Sequence, residues 1–272
     1  MPARSLLSQV AVVTGGGRGV GRAVAERLGA AGAAVAVAAR SRSEIDAAAQ
    51  AIRDRGGRAV ALAADVTDEQ SVEALVSTVE DALGPPTLLV NAAGSWRHVG
   101  PVADADPRVW WGDVEVNLKG TFLCTRAVLP AMLGRRAGRI VNVASYAATG
   151  PRPFATAYAA SKAAVLRFSD SLAAEVAGRG VSVFAVTPGF VRTRLVDEIA
   201  ASEEGRRYLP ELAAREDALE PERLGELVLS IASGRLDSLS GAFLHVLDDV
   251  DELLRRADEV RAQGLHTLRL RT

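Results

Sequence analysis

The sequence predicts a doubly wound α/β fold, a parallel sheet of about seven strands with helices on both faces. Two patterns carry this prediction. Short apolar runs of strand length alternate along the chain with longer segments of helical length. The short runs are apolar at successive positions rather than at every second one, which is typical of strands buried on both faces of a parallel sheet. Right-handed crossovers between such strands place helices on both sides of the sheet.

The elements are expected in strict alternation. Strands are predicted at Val10–Thr14, Ala33–Ala39, Arg58–Ala64, Thr87–Val90, Gly138–Val143, Val181–Val186 and Gly241–Val246. Helices are predicted at Arg22–Ala31, Ser43–Arg55 with Ser43 as N-cap, Asp68–Leu83, after Pro107 to about Leu133, Thr156–Ala177, Glu222–Ala232 and Asp249–Ala262. The charged stretch that opens at Pro188-Gly189 is expected to be irregular. The alternating tail Leu265–Leu270 is expected to form an added edge strand or an arm on a neighbouring subunit.

Composition excludes several classes of protein. The chain has 272 residues, and since no linker or repeat divides it, residues 1–248 are expected to form one domain, with 249–272 as its C-terminal extension. Its 32 basic and 33 acidic residues nearly cancel, which argues against nucleic acid or an anionic membrane as partner. No apolar run is long enough to span a membrane, and no secretory signal is recognised, so a cytoplasmic protein is expected. One cysteine, Cys124, and three widely spaced histidines predict neither disulfides nor a metal site.

A glycine-rich turn follows the first predicted strand. It reads Thr14-Gly15-Gly16-Gly17-Arg18-Gly19-Val20-Gly21, with the spacing G-x-x-x-G-x-G instead of G-x-G-x-x-G. Glycines here permit positive φ and let backbone amides approach a pyrophosphate at a helix N-terminus. In an alternating β/α chain this position predicts a dinucleotide site, and the alternative is a merely tight connection between strand and helix.

The end of the second strand indicates which dinucleotide is bound. An NAD site uses a carboxylate there to bond the ribose 2′-hydroxyl. This chain has Arg40-Ser41-Arg42 instead, and a guanidinium suits a 2′-phosphate. Arg18 adds a second positive charge within the glycine turn. NADP(H) is therefore favoured over NAD(H), and the alternative is that Arg40 and Arg42 are solvated loop residues.

A tyrosine and a lysine occupy one face of the helix predicted at Thr156–Ala177. Tyr158 and Lys162 are four residues apart, in a chain with only two lysines among its 32 basic residues. A free tyrosine is a poor acid–base catalyst at neutral pH, but a nearby ammonium group and an oxidised nicotinamide stabilise its phenolate and so lower its pKa. The alternative is a surface pair without a function.

These residues and several others stand in the order and spacing of a known family. The chain resembles the short-chain dehydrogenase/reductase family, in its single-domain Rossmann-like form, over about residues 5–247. The matching motifs are Thr14-Gly15-x-x-x-Gly19-x-Gly21, Asn91-Ala92-Ala93-Gly94, Asn117, Ser145, Tyr158-Ala-Ala-Ser-Lys162 and Pro188-Gly189. The sequence departs from the family pattern at Ala92, at Ala144 and after the last strand, where Leu247-Asp248-Asp249 replaces the usual Asp-Gly-Gly.

The resemblance implies a role for each matching residue. Ser145 would orient the substrate oxygen, Tyr158 would transfer the proton, Lys162 would lower the tyrosine pKa and bind ribose, and Asn117 would hold a relay water through a local distortion of its helix. Asp65 and Val66 would contact the adenine, Asn91 and Gly94 the middle of the cofactor, and Thr193 the carboxamide. The full expected cofactor set is Gly15, Arg18, Gly19, Val20, Arg40, Asp65, Val66, Asn91, Gly94, Tyr158, Lys162, Pro188, Gly189, Val191 and Thr193.

The expected activity is hydride transfer between nicotinamide C4 of NADP(H) and a carbonyl or secondary-alcohol substrate, with Tyr158 as proton donor and acceptor. Alternatives are an NAD(H)-dependent enzyme of the same type, a non-catalytic dinucleotide sensor, and an epimerase or dehydratase acting on sugar nucleotides. The resemblance implies a homodimer or homotetramer, with Trp110 and Trp111 half in the core and half in an interface. Residues Phe190–Arg215 are expected to cover the substrate pocket, while Trp96, Arg97 and His98 indicate a surface loop, with the pocket mouth as alternative.

Overall fold

Seven parallel strands form one sheet in the computed structural model, which describes residues 6–268. In chain order they are β1 (Val10–Thr14), β2 (Ala34–Ala39), β3 (Arg58–Ala63), β4 (Leu88–Asn91), β5 (Gly138–Val143), β6 (Val181–Thr187) and β7 (Phe243–His245). Their spatial order is β3-β2-β1-β4-β5-β6-β7. The predicted doubly wound parallel sheet is thus confirmed.

Helices connect the strands and cover the sheet. They are α1 (Gly19–Ala30), α2 (Arg42–Asp54), α3 (Glu69–Leu83), α4 (Pro107–Val114), α5 (Gly120–Arg135), α6 (Thr156–Glu175), α7 (Arg194–Ala201), α8 (Glu203–Tyr208), α9 (Glu211–Ala214), α10 (Glu222–Ala232), α11 (Val250–Arg255) and α12 (Ala257–Gln263). A π-helical segment, Glu115–Lys119, joins α4 to α5. Within residues 6–268, no helix is both long enough and apolar enough to cross a membrane.

Each face of the sheet has its own apolar layer. In β1, Val13 packs in the layer that includes α1, α2 and α10, whereas its neighbour Val12 packs in the layer that includes α3 and α5. Both side chains are buried. Successive strand residues therefore point into opposite layers, and this explains why apolar residues follow one another in the strands.

The order of the strands fixes where a site forms. The chain runs outward from β1 to β3 and then crosses to the other side of β1 for β4. In this type of sheet, ligands bind outside the carboxyl ends of the strands at the point where the order reverses. Thr14 at the end of β1 pairs in register with Asn91 at the end of β4, so the glycine turn and the Asn91 motif meet there.

Three expectations about the helices are wrong. Ser43 is not an N-cap: α2 begins at Arg42, with Ser41 in the capping position and Ser43 inside the first turn. The stretch after Pro188 is not irregular throughout but contains α7, α8 and α9, because Ser202 stops α7 and its Oγ accepts from Gly205 N at 2.8 Å to start α8. The helix expected at Asp249–Ala262 is interrupted at Arg256, which separates α11 from α12.

The expected edge strand is absent from the described part of the tail. From Leu265 to Leu268 the chain forms a turn and a bend, while Arg269 and Leu270 lie outside the described residues. His266, at φ 56°, turns the chain back against β7. Phe243 N donates to His266 O at 2.7 Å, and His266 Nδ1 lies 3.0 Å from Phe243 O. The tail thus satisfies backbone groups of the last strand without extending the sheet.

A core substitution in a central strand tests this packing. Ile140 of β5 is fully buried against the layer that contains α3 and α5. Ile140→Ala is expected to reduce the free energy of unfolding by about 2–5 kcal/mol, since it removes apolar contacts and leaves a cavity. Leu7→Ala, at a side chain that is 80% exposed, is the matched control and should change it by less than about 0.5 kcal/mol. Urea denaturation monitored by circular dichroism measures both; equal losses would contradict the assigned core.

Candidate active site

A cleft of about 410 Å³ opens at the carboxyl ends of β1, β2 and β4. Its lining includes most of the expected cofactor residues, namely Gly15, Arg18, Gly19, Val20, Arg40, Asp65, Val66, Gly94 and Thr193. The glycine turn forms one side, and α1 begins at Gly19 with its N-terminus toward the cleft wall. Backbone N–H groups at such a terminus favour an anionic ligand.

The glycines of the turn are required by close contacts. Gly15 has φ 63°, and a Cβ there would lie 2.7 Å from Ala93 N and 2.8 Å from Ala92 O. A Cβ on Gly21 would lie 2.3 Å from Gly15 O. The turn is therefore folded tightly against the end of β4, and its backbone is left open to a ligand. These features fit the pyrophosphate of a dinucleotide.

Charged groups surround the adenosine end of the cleft. The exposed Arg40 guanidinium makes no hydrogen bond or ion pair within residues 6–268, whereas Arg18 lies 3.5 Å from the carboxylate of Glu44. Asp65 Oδ1 accepts from Thr67 N at 2.9 Å and from Thr67 Oγ1 at 2.8 Å. Burial raises the pKa of Asp65, but these hydrogen bonds and the charges of Arg40 and Lys119 outweigh it, so that its pKa is lowered.

Ser145, Tyr158 and Lys162 come together beside the inner end of the cleft. Ser145 follows β5 closely, and its hydroxyl acts on the Tyr158 side chain, whose pKa it lowers. Lys162 is only 4% exposed; its Nζ donates to Val143 O at 2.7 Å and lies 5.9 Å from the centroid of the Tyr158 ring. A Cβ on Gly94 would lie 4.0 Å from Lys162 Nζ, which places the cluster next to the cleft.

The two titratable groups of this cluster respond to burial in opposite ways. Desolvation raises the pKa of Tyr158, the hydrogen bond from Ser145 lowers it, and the negative charge of Asp113 raises it. The net direction is upward. Desolvation lowers the pKa of Lys162 to about 8. Each shift disfavours the charged form of the group, as expected for residues removed from water.

Asn117 lies in the π-helical segment between α4 and α5, so its helix has the local distortion that the resemblance implied. The side chain is fully buried. Its Nδ2 donates to Ser95 O at 2.8 Å and to Ser161 Oγ at 2.9 Å, and its Oδ1 accepts from Ser95 N at 2.8 Å. Asn117 thereby links the chain after β4 to α6, one residue from Lys162.

Six expected cofactor residues are absent from the lining of the cleft, and two of them, Tyr158 and Lys162, belong to the cluster beside it. Asn91 is buried beneath it, where Nδ2 donates to Asn142 Oδ1 at 2.9 Å. Pro188, Gly189 and Val191 lie along the chain after β6, and a Cβ on Gly189 would lie 2.8 Å from Leu219 Cδ1. In the segment between β6 and α7, Thr193 alone reaches the cleft wall.

Two residues near the site were misplaced by the sequence pattern, and a third was not predicted. Trp96 and His98 are not surface-loop residues: the Trp96 indole stacks on the Tyr158 ring, and His98 is 7% exposed. Both line a second cavity that adjoins the cleft, in agreement with the alternative of a pocket mouth. Arg97 is exposed, as expected. Asp113 was not singled out, although it is fully buried and accepts hydrogen bonds from this segment. Its position four residues before Asn117, on the same helical face, is the signal that could have identified it.

Comparison with known proteins identifies the family. The model of the short chain dehydrogenase family matches residues 9–204. A short chain dehydrogenase of Pseudocercospora fijiensis is 45% identical over 70% of this chain and 62% of its own length. Galactitol 2-dehydrogenase of Rhizobium johnstonii is 38% identical over 87% of this chain and 92% of its own. A crystal structure of an actinorhodin polyketide ketoreductase variant with NADPH has a TM-score of 0.80 and 32% identity over 88% of this chain and 95% of that one.

The protein belongs to the short-chain dehydrogenase/reductase family, the class of protein that its fold and its Ser-Tyr-Lys cluster define. It is an oxidoreductase that acts on alcohol or carbonyl groups and uses a nicotinamide cofactor. No group of three or more potential metal ligands occurs within residues 6–268.

The close contact at the glycine turn predicts that a methyl group at Gly15 weakens dinucleotide binding. Gly15→Ala combines an unfavourable positive φ with a clash against the Ala92–Ala93 backbone, so NADPH and NADH should each bind at least about tenfold more weakly. Gly56→Ala is the matched control, because Gly56 also has positive φ (81°) but no atom lies within 4 Å of the position that its Cβ would take. Isothermal titration calorimetry measures the dissociation constants. Unchanged binding by the Gly15 variant would remove the turn from the site.

Proposed function

We propose that the protein is an NADP(H)-dependent oxidoreductase in which Tyr158 exchanges a proton with the oxygen of a carbonyl or secondary-alcohol substrate. The observation that carries this proposal is the meeting of Ser145, Tyr158 and Lys162 beside a cleft that fits a dinucleotide. When bound, the cofactor supplies or accepts the hydride at its nicotinamide ring. A dinucleotide sensor has no need of this cluster, and carbonyl reduction distinguishes the enzyme from a sensor.

In the proposed mechanism Ser145 and Tyr158 contact the same substrate oxygen. In carbonyl reduction the Tyr158 hydroxyl donates its proton to this oxygen, and in alcohol oxidation the phenolate accepts it. The Ser145 hydroxyl orients the oxygen and, through its bond to Tyr158, favours the phenolate. A Lys162 pKa of about 8 leaves this group mostly charged at neutral pH, so that it stabilises the phenolate electrostatically. Asn117 holds Ser95 and α6 in place and lies on the proposed proton path to solvent.

The preference for NADP(H) rests on Arg40. Its guanidinium lines the cleft, is exposed, and makes no hydrogen bond or ion pair in the described part of the chain, which suits a 2′-phosphate. The solved ketoreductase named above carries NADPH. NAD(H) remains the alternative, favoured by Glu44: its carboxylate also lines the cleft and, once released from Arg18 and Arg194, suits a ribose 2′-hydroxyl.

We further propose that the protein is a cytoplasmic homodimer or homotetramer. Trp111 and Phe122, 59% and 46% exposed, lie on α4 and α5 and provide apolar surface for a second copy. Trp110 is half-buried, and its Nε1 donates to Thr156 Oγ1 at 3.0 Å. Both observations support the proposal that Trp110 lies partly in the core. The C-terminal extension is proposed as part of the same domain, because Leu253 and Val260 join the apolar layer of α1, α2 and α10.

Tyr158→Phe tests the proposed proton transfer. The change removes only the phenolic oxygen, so turnover of a carbonyl substrate should fall at least about 100-fold. Tyr146→Phe is the matched control, because Tyr146 is 58% exposed and follows Ser145 directly; it should retain most activity. Steady-state kinetics at saturating NADPH measure both variants. Most turnover retained by the Tyr158 variant would exclude this residue as the proton donor.

Arg40→Ala tests the cofactor preference. Loss of charge-assisted hydrogen bonds to the 2′-phosphate should weaken NADPH by about 10–100-fold and NADH by much less. Arg42→Ala is the control: Arg42 carries the same charge but pairs with Asp46 at 2.9 Å on α2, so both cofactors should bind nearly as before. Dissociation constants from nucleotide fluorescence measure the effect. Equal losses of NADPH and NADH in the Arg40 variant would contradict a phosphate contact.

A further inference from the structure

The indole of Trp96 covers one face of the Tyr158 ring. The two ring centroids are 4.6 Å apart, and the planes differ by 14°. At this separation no substrate atom fits between the rings. A substrate therefore has to reach the tyrosine hydroxyl from a side that the indole does not cover.

Trp96 also closes the gap to the helices that follow β6. It packs in one apolar cluster with Ile199 of α7, with Leu209 just before α9 and with Leu212 of α9. Its Nε1 is buried and has no hydrogen-bond partner within residues 6–268. No polar contact of the indole nitrogen thus holds the ring there, and its position depends on packing and on the backbone of residues 95–98.

A buried carboxylate fixes that backbone. Asp113 of α4 is fully buried, and its oxygens accept from Ser95 Oγ at 2.5 Å, from Arg97 N at 2.9 Å and from His98 N at 2.9 Å. Asn117 bonds to both backbone groups of Ser95 from the same helical face. Within residues 6–268 no cationic side chain lies within ion-pair distance of Asp113, so these donors are what compensate its burial.

We propose that Trp96 determines substrate specificity by limiting the space beside Tyr158, and that Asp113 is the positioning residue that holds Trp96 there. The inference rests on the proposed function of Tyr158. The substrate class that fits is a compact carbonyl compound or secondary alcohol, with small or unbranched groups on the reacting carbon. Substrates with an aryl or branched group at that carbon are excluded by the indole.

The first test compares ketones of different size with Trp96→Ala. Using 2-butanone and propiophenone with NADPH, we expect the wild type to prefer the smaller ketone and the variant to raise the propiophenone-to-butanone ratio of kcat/KM at least about tenfold. Trp111→Ala is the matched control, because it removes an indole of α4 that has no ring contact with Tyr158, so the ratio should stay unchanged even if this residue lies between subunits. An unchanged ratio in the Trp96 variant, or a wild type that prefers propiophenone, overturns the proposal.

The second test concerns Asp113. In Asp113→Asn the amide nitrogen cannot accept from the backbone N–H groups, so residues 95–98 are released and the same ratio should rise. Combining Asp113→Asn with Trp96→Ala should add little to the Trp96 effect, because both act through one indole. Glu115→Gln is the control: it removes an equal charge from an exposed position two residues away. A wild-type ratio in the Asp113 variant overturns the positioning role.

The pH profile supplies a readout that loss of structure alone would not move. The charged groups that face Tyr158 are Asp113 from α4 and Lys162 from its own helix. Since Asp113 raises the pKa of Tyr158, the limb of the kcat/KM profile that reports this tyrosine should move to lower pH in Asp113→Asn and stay in place in Glu115→Gln. An unmoved limb contradicts the electrostatic part of the role.

Circular dichroism and a second variant separate a folding defect of Asp113→Asn from the proposed effect on specificity. If circular dichroism shows that Asp113→Asn is unfolded, Ser95→Ala takes its place, because it removes one donor to the carboxylate and keeps the backbone bonds; a rise of the ratio supports the proposal and a wild-type ratio opposes it. If the wild-type protein reduces 2-butanone and the kcat/KM ratio is unchanged in every variant, this inference alone is overturned. Absence of turnover with either dinucleotide contradicts the proposed function as well.

Discussion

The burial of the Lys162 ammonium group constrains the whole site. A charge removed from water is costly unless polar groups compensate it. Here Val143 O at the end of β5 accepts from Nζ at 2.7 Å, and the pKa falls to about 8. The contact ties α6 to the carboxyl end of β5, two residues before Ser145. Because Tyr158 lies one turn before Lys162, the same contact sets the position of the phenol relative to Ser145.

A chain of buried amides supports this arrangement from below. Asn91 Nδ2 donates to Asn142 Oδ1 at 2.9 Å, and Asn142 Nδ2 donates to Ser169 Oγ at 2.9 Å. These bonds connect β4, β5 and α6 under the strand ends. Asn91 thus contributes to the site by fixing elements that carry other residues. Such networks restrict relative movement because each member is costly to leave unpaired.

Local pattern predicted much of the fold, whereas contacts between distant segments escaped prediction. All seven strands were located from their apolar runs, which burial on both sheet faces explains for the central strands. Tyr158 and Lys162 were identifiable since their rarity and spacing are properties of the chain itself. The burial of Trp96 depends instead on Tyr158 and on α7–α9, and that of Asp113 on donors 15–18 residues earlier. The tail folds back because of hydrogen bonds to Phe243, which alternation in the tail cannot reveal.

The electrostatics of Tyr158 show how the proposed chemistry depends on more than the tyrosine–lysine pair. Burial and Asp113 raise its pKa, and the Ser145 hydrogen bond opposes them without reversing the direction. Lys162 Nζ lies 5.9 Å from the centroid of the ring and bonds to a carbonyl, and Lys162 is not among the groups that shift the pKa of the tyrosine. Under the proposed function, a further positive charge must come from the oxidised nicotinamide. The phenolate then forms only next to bound cofactor, which couples proton transfer to the site where the hydride moves.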